Sequence, residues 1–420
     1  MTVRKLTILL SLIFFVFPVS PALPASAAPS STVYFVKADG IINPVMAEFI
    51  VKGIAFAAKE KAEAVVIELD TPGGLDLSMR DIVKAELGSE VPVAVYVAPS
   101  GSRAASAGVF IVYAANIAAM APGTNTGSAH PVEMGGGKMD ETMRKKVEND
   151  AVAYIMGIAA KRNRNAAWAE RAVRESVNVT AEEALKLKVI DIVAGSREKL
   201  IEEMDGRKVE LAGGEKTLRT KGARIKNIDM NLRFRVLSAI SNPNVAYILM
   251  MIGLVGLYFE LSNPGLILPG VLGAVCLVLA FYAFQTLSVN YAGLILIFLG
   301  LIFFVVELKV ASYGLLAIAG IVSLVLGSLM LFDSSLPYMG LSIWVVLPTI
   351  VLMTAIILGA MYYAVRIYRK KPASGAEALI GEEASVVEDI GPGKTGKVFM
   401  EGEYWNAVSG EEIKKGEKAR

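Results

Sequence analysis

Ala64-Val65-Val66-Ile67-Glu68-Leu69-Asp70-Thr71-Pro72-Gly73-Gly74 decides the fold. An apolar run of strand length passes directly into a Pro-Gly-Gly turn, the pattern of a buried strand that ends abruptly. The design recurs once, where Val93-Ala94-Val95-Tyr96-Val97 leads towards Gly101-Ser102-Arg103-Ala104-Ala105-Ser106-Ala107-Gly108. Two neighbouring strand ends are thereby expected to carry a Gly-Gly backbone turn and a serine in an Ala/Gly setting. Acyl-transfer chemistry needs those parts, a nucleophile and free backbone N–H groups for an oxyanion.

Working outward, the pattern keeps alternating. Thr32 to Val36 reads as a strand, and residues 45–61 as a helix with Pro44 suited to its first turn. A helix over 75–87 follows the Gly-Gly turn, a helix is expected over 104–115, and a short strand over 117–120. Residues 121–138 are rich in Gly and Pro, include Gly135-Gly136-Gly137, and read as a mobile loop that gates the site. A long helix is expected over 139–161, a capping box at Thr180 to Glu183 opens another, and Val189 to Val193 closes the unit as a strand. Strands alternating with helices over 32–205 imply an α/β domain with a mostly parallel sheet. Residues 206–240 are polar and basic and read as a linker or a small extension.

The remainder of the chain is of two kinds. Residues 246–365 are nearly free of charge, and polar breaks divide them into apolar segments near 246–261, 265–284, 291–307, 313–332 and 343–365. Most approach the ~20 residues of a spanning helix, so a transmembrane bundle of four or five helices is expected, the first segment being short. Residues 376–420 hold short strand-like runs between Gly and Pro turns and read as a small β-module; the stop at Lys418-Ala419-Arg420, where another strand would follow, reads as a truncation. At the other end, Arg4 and Lys5, an apolar stretch over 6–19 and Ala25-Ser26-Ala27 have the form of a secretory signal over 1–27, the alternative being an uncleaved anchor. Either places the α/β domain outside the cytoplasm. Arg366, Arg369, Lys370 and Lys371 favour a cytoplasmic end after the last segment, which five spans reconcile with an exported first domain. Arg233 and Arg235, ahead of the first span, run against that scheme.

Composition excludes several chemistries. The net charge of +2 gives no case for nucleic-acid binding. One cysteine, Cys276, allows no intramolecular disulfide and no cysteine-built zinc site, and one histidine, His130, excludes any two-histidine mechanism. No nucleotide fingerprint is visible, and no cofactor or metal is expected. Ser106 is the candidate nucleophile, with Ser102 as its competitor. A serine is activated by a base, either a histidine or a lysine kept neutral by burial. Lys146, near the start of the long helix, is one candidate, although Arg144-Lys145-Lys146 also reads as a solvated charge run; His130 is the other, although a lone histidine also reads as a structural hydrogen bonder. Asp70 reads as a turn cap.

Asp70-Thr71-Pro72-Gly73-Gly74, Gly101 to Gly108, Met120-Ala121-Pro122-Gly123-Thr124-Asn125-Thr126-Gly127 and Ala181 to Asp191 resemble the long form of the NfeD family. These are membrane-bound serine proteases of the ClpP class, often paired with stomatin-like proteins, and the resemblance covers nearly the whole chain. It implies a ClpP/crotonase-like α/β domain, an α-helical transmembrane bundle and an OB-like β-module at the C-terminus. It also implies a Ser-Lys dyad falling on Ser106 and Lys146, with oxyanion donors on the backbone N–H groups of Gly74 and Ala107, and His130 as the alternative base. The implied activity is cleavage of apolar segments in membrane partners of the stomatin type, by a homo-oligomer embedded in the cell membrane. The competing readings are a non-catalytic organiser of stomatin-type assemblies and, because the crotonase group shares the layered fold, an acyl-CoA enzyme; a secretory signal argues against the latter.

Overall fold

Strand β2 (Ala64–Asp70) stands inside the main sheet of this computed structural model, and six of its seven residues are buried. The structure describes residues 31–132, 140–262, 265, 267–285, 287, 289–307, 309–310, 312–332, 341–368 and 379–420. The expected signal over 1–27, the glycines 135–137 of the expected gate and the basic residues 369–371 lie outside the described residues.

In chain order the α/β domain runs β1 (Thr32–Asp39), α1 (Pro44–Lys59), β2, α2 (Asp76–Leu87), β3 (Val93–Val97), β4 (Arg103–Ala105), α3 (Ala107–Ala114), β5 (Ile117–Met120), β6 (Asn125–Gly127), α4 (Glu141–Lys161), α5 (Ala166–Arg174), β7 (Asn178–Thr180), α6 (Ala181–Lys186), β8 (Ile192–Val193), α7 (Arg197–Met204), β9 (Lys208–Leu211), β10 (Gly214–Thr217), β11 (Arg224–Ile228) and α8 (Leu232–Ile240). The main sheet is parallel throughout, in the order β11-β1-β2-β3-β5-β8. Because successive side chains point to opposite faces, its strands feed two cores. Val65, Ile67, Leu69, Val93, Val95 and Val97 pack with α1 to α5. Ala64, Val66, Ala94 and Tyr96 pack on the other face with Leu200, Ile201 and Met204 of α7. Burial on both faces is why these strands read as unbroken apolar runs. A small sheet, β4-β6-β7, stands beside the end of β2.

Two expectations are corrected. Residues 206–240 are a small extension of the domain and not a linker: they hold the β9–β10 hairpin, the edge strand β11 and helix α8. β11 pairs in register with β1, Thr32 with Arg224 to Val36 with Ile228. As an edge strand it keeps Arg224, Lys226 and Asn227 exposed, so it lacks the apolar run that marks the interior strands. The helix expected over 104–115 is instead strand β4 followed by α3, with Ser106 between them.

The chain divides into two compact units, residues 1–301 with 322–346, and residues 302–321 with 347–420. After α8 come five apolar helices, α9 (Pro243–Ser262), α10 (Ile267–Phe284), α11 (Tyr291–Glu307), α12 (Leu315–Met330) and α13 (Ile343–Tyr368). By length and composition three of the described helices can cross a membrane, α9, α10 and 343–360 of α13; α11 and α12 are shorter. Gly253 and Gly256 lie against Gly273, where any Cβ would meet helix backbone or Leu277, so α9 and α10 pack at close range. The C-terminal module is an antiparallel sheet in the order β14-β13-β12-β15, from β12 (Ala384–Val386), β13 (Gly396–Met400), β14 (Glu403–Ala407) and β15 (Lys418–Ala419).

One buried group stands apart from this packing. Glu86 of α2 is 1% exposed, and neither carboxylate oxygen has a hydrogen-bond partner among the described residues. Burial pushes its pKa well above the ordinary carboxylate range, against the pull of Arg162 and Arg164. A carboxyl raised in the folded state holds its proton where the unfolded chain has lost it, so folding stability falls as pH rises above the unfolded pKa. Glu86→Gln is expected to raise the thermal midpoint at neutral pH and to flatten its decline from pH 5 to 8, followed by intrinsic fluorescence of the full chain in detergent.

Candidate active site

The ends of β2 and β4 are tied together by their backbones. Thr71 N–H donates to the Arg103 carbonyl at 2.8 Å, and Ala105 N–H donates to the Thr71 carbonyl at 3.0 Å. The Asp70 carboxylate accepts the Arg103 N–H at 3.0 Å, so Asp70 serves as a cap across the two turns. Thr71, fully buried, closes the next turn on itself: its hydroxyl accepts the Gly73 N–H at 3.0 Å and donates to the Gly73 carbonyl at 3.1 Å.

That turn leaves no room for side chains. Gly73 has φ +124°, and a Cβ there would lie 2.7 Å from the Ser106 Cβ and 3.1 Å from its Oγ. A Cβ on Gly74 would lie 2.1 Å from the Ile42 carbonyl oxygen. Ile42 grips the turn on both sides, donating to the Gly73 carbonyl and accepting the Leu75 N–H, each at 2.9 Å. Among the described residues the Gly74 N–H has no acceptor.

Ser106 occupies the junction of β4 and α3 with φ 53° and ψ −115°, a conformation that L-residues rarely adopt. Its N–H is fixed by the Gly127 carbonyl at 3.1 Å. The next residue, Ala107, opens α3, and its N–H also has no acceptor among the described residues, as the first turn of a helix leaves it. Ser106, Ala107, Gly73 and Gly74 all line one cleft of about 370 Å³. The competing serine, Ser102, is buried and does not line it.

The rest of the cleft was not marked by any motif. Its walls are apolar, with Met79 from α2, Phe110 from α3, Ala129 and Val132, and Val147 and Ala151 from α4. At its rim Arg80 joins α2 to α4: it bonds Asp76 at 2.8 Å and Asp150 across the gap, while its guanidinium lies 4.3 Å from the centre of the Tyr154 ring. The signal for this wall is the apolar spacing of α2 and α4, visible only once the two helices are known to face each other.

Neither candidate base lines the cleft. Lys146 is exposed on α4, next to the cleft residue Val147 and one turn before Asp150. It makes no ion pair among the described residues, whereas its neighbour Lys145 is held by Glu141 at 2.7 Å. His130 is half-buried, and its Nδ1 donates to the Val173 carbonyl at 2.9 Å, which leaves Nε2 to accept. Among the described residues no group of His, Cys, Asp and Glu is arranged to hold a metal ion.

Comparison with known proteins covers all three parts of the chain. Residues 32–217 match the family model for the N-terminal domain of NfeD1b, residues 244–363 the NfeD integral membrane domain, and residues 376–420 the NfeD-like C-terminal, partner-binding domain. The chain is 33% identical over 425 residues to the membrane-bound protease PH1510 of Pyrococcus horikoshii, covering 98% of this chain and 95% of the relative. It is 29% identical over 268 residues to the membrane protein NfeD1b of Bacillus subtilis, covering 63% and 59% respectively. Among solved structures, the 1510-N membrane protease specific for a stomatin homolog, from Pyrococcus horikoshii, is 31% identical and covers 50% of this chain and 98% of its own, with a TM-score of 0.43.

The close contact at the turn makes a direct test. Gly74→Ala is expected to push the Ile42 carbonyl aside, lowering stability by about 1–3 kcal/mol, as overpacking does. Labelling of Ser106 by a fluorophosphonate probe is expected to fall with it, read by gel fluorescence against a Ser106→Ala blank.

Proposed function

The chain belongs to the NfeD family of membrane-bound proteases, and from that premise we propose that it is a membrane-anchored serine endopeptidase working through Ser106 and Lys146. The observation that carries the reading is the pair of unengaged N–H groups, Gly74 and Ala107, that line the same cleft as Ser106. Lys146, as the neutral amine, takes the Ser106 proton, and Oγ attacks the peptide carbonyl. The two N–H groups hold the oxyanion, and Lys146 passes the proton to the leaving amine. Water then cleaves the acyl-serine ester and returns the site to its starting state.

The lysine is assigned over the histidine because family resemblance puts the base on the residue before Val147, and Val147 lines the cleft. The bond from His130 Nδ1 to the Val173 carbonyl leaves Nε2 able to accept a proton, so His130 is kept as the alternative base. Lys146 is exposed on α4, so this reading requires α4 to move inwards for the dyad to form.

The apolar walls at Met79, Phe110, Val132 and Val147 suit an apolar peptide, and the membrane helices hold the site beside apolar segments of other membrane proteins. Stomatin-like proteins are the proposed partners: the relative from Pyrococcus horikoshii is described as specific for a stomatin homolog, and residues 376–420 match a partner-binding domain. We place the α/β domain on the extracytoplasmic side with five spans and a cytoplasmic C-terminal module, and expect a homo-oligomer.

The test is cleavage by the full chain in nanodiscs of a panel of apolar peptides that includes a stomatin-like C-terminal segment. Ser106→Ala and Lys146→Ala are expected to abolish cleavage while His130→Ala retains it; the reverse for the last two moves the base to His130. Absence of cleavage by folded wild-type chain would favour an organiser without catalysis. Adding bulk at an oxyanion donor, as in Ala107→Pro, which removes the N–H, is expected to lower kcat by about 10²–10³ with a smaller change in KM.

A further inference from the structure

Arg233 and Arg235 stand immediately before the first apolar helix, where positive charge contradicts an exported α/β domain. Both lie on α8, whose start is capped by Asn231, its side chain accepting the Phe234 N–H. One face of α8 is buried. Phe234 packs edge-on against Phe49 of α1 at 5.5 Å between ring centres, and the Lys52 ammonium lies 5.5 Å from the same ring. Ile240 packs with Ala246 of α9 and Ala283 of α10.

The opposite face has no cover among the described residues. Leu232 is 77% and Val236 46% exposed, and Ala239 continues the same stripe at i, i+4 and i+7. Arg233 and Arg235 flank it, both exposed. Arg233 gives one contact to Glu48 at 3.2 Å, and Arg235 gives its Nε to the Met230 carbonyl, so each guanidinium keeps further N–H groups for an outside acceptor.

Position identifies the occupant. Only Ser241 and Asn242 separate the end of α8 from α9, a reach of about 10 Å at most. Ile240 touches the first turn of α9 and the last turn of α10, which are the ends of two membrane-length helices on one side. A second copy of the chain is a poor occupant, because three small-to-medium apolar residues make a minor interface and a two-fold contact would set the arginines against their equivalents.

We propose that α8 is an interfacial helix that lies on the bilayer surface, with Leu232, Val236 and Ala239 in the acyl boundary and Arg233 and Arg235 on anionic lipid headgroups. On the proposed extracytoplasmic placement of the α/β domain, the two arginines are then headgroup ligands rather than a topology signal. Through Phe234 and Glu48, α8 is fastened to α1, and the chain enters α1 from Ile42, which grips the Gly73-Gly74 turn. Lipid contact therefore fixes how the cleft faces the membrane. The lipid contact itself does not depend on the catalytic reading.

The test uses the full chain with its one cysteine removed (Cys276→Ser) and a nitroxide placed at Leu232→Cys, Val236→Cys or, as a solvent control on α6, Lys186→Cys. Accessibility to oxygen and to a nickel chelate is measured in nanodiscs of phosphatidylcholine with or without phosphatidylglycerol. At 232 and 236 the ratio of oxygen to nickel accessibility is expected to exceed that at 186 several-fold, and to rise further with phosphatidylglycerol. Replacing both arginines (Arg233→Gln with Arg235→Gln) is expected to abolish the phosphatidylglycerol increment. Nickel access at 232 and 236 equal to that at 186, or shielding from both reagents, which would mean a protein cover, overturns the proposal. So does a phosphatidylglycerol increment that survives loss of both arginines.

Discussion

The site rests on one close approach of backbone to backbone. Gly73 and Gly74 pass between the Ile42 carbonyl and Ser106 so closely that a Cβ at either position would force its neighbour to shift. The same approach explains the free donors. Ile42 is bonded to the residues on either side of Gly74, and Gly74, whose N–H has no acceptor among the described residues, lines the cleft. Ser106 meets the turn from the other side, held in its left-handed conformation by the β4–β2 ties and by the Gly127 carbonyl. A strained serine persists because several hydrogen bonds over-determine it, and none of them uses the serine side chain.

Around this rigid centre the cleft is built from parts of different character. The turn and α3 rise from the sheet, where almost every residue is buried. The opposite wall comes from α4, which is exposed over most of its first turns and is joined to α2 through Arg80. The cleft therefore sets the backbone turn and Ser106 opposite a wall of apolar side chains that includes Val147 and Ala151. Ser106 belongs to the wall that rises from the sheet, whereas Lys146 lies on the exposed side of α4.

The membrane part adds location. Close glycine contacts pack α9 on α10, and the buried Tyr247 hydroxyl meets the Ser328 hydroxyl at 2.9 Å inside the apolar block. Such pairs satisfy polar groups where water is scarce. Helix α8 links this block to α1, and α1 to the turn that carries the site, so the α/β domain is attached to the membrane helices through packed side chains as well as through the chain itself.

By itself the sequence determined the features whose cause is local. Strands buried on both faces read as apolar runs, tight turns read as Pro-Gly-Gly, and membrane-length helices read as apolar blocks, because each follows from the side chains of one segment. Ser106 and the glycines before it were legible for the same reason. Tertiary structure decided what depends on distant partners. The edge strand β11 has one sheet neighbour and a polar exposed side, so it carries no apolar signature of its own. The Arg103 N–H reaches Asp70, and Arg80 reaches Asp150, across separations that no local pattern encodes. Lys146, with His130 as its alternative, was a candidate by residue type and resemblance; that Lys146 is exposed on α4 and that His130 Nδ1 donates to the Val173 carbonyl are known only from the folded chain, because exposure and hydrogen-bond occupancy depend on distant partners.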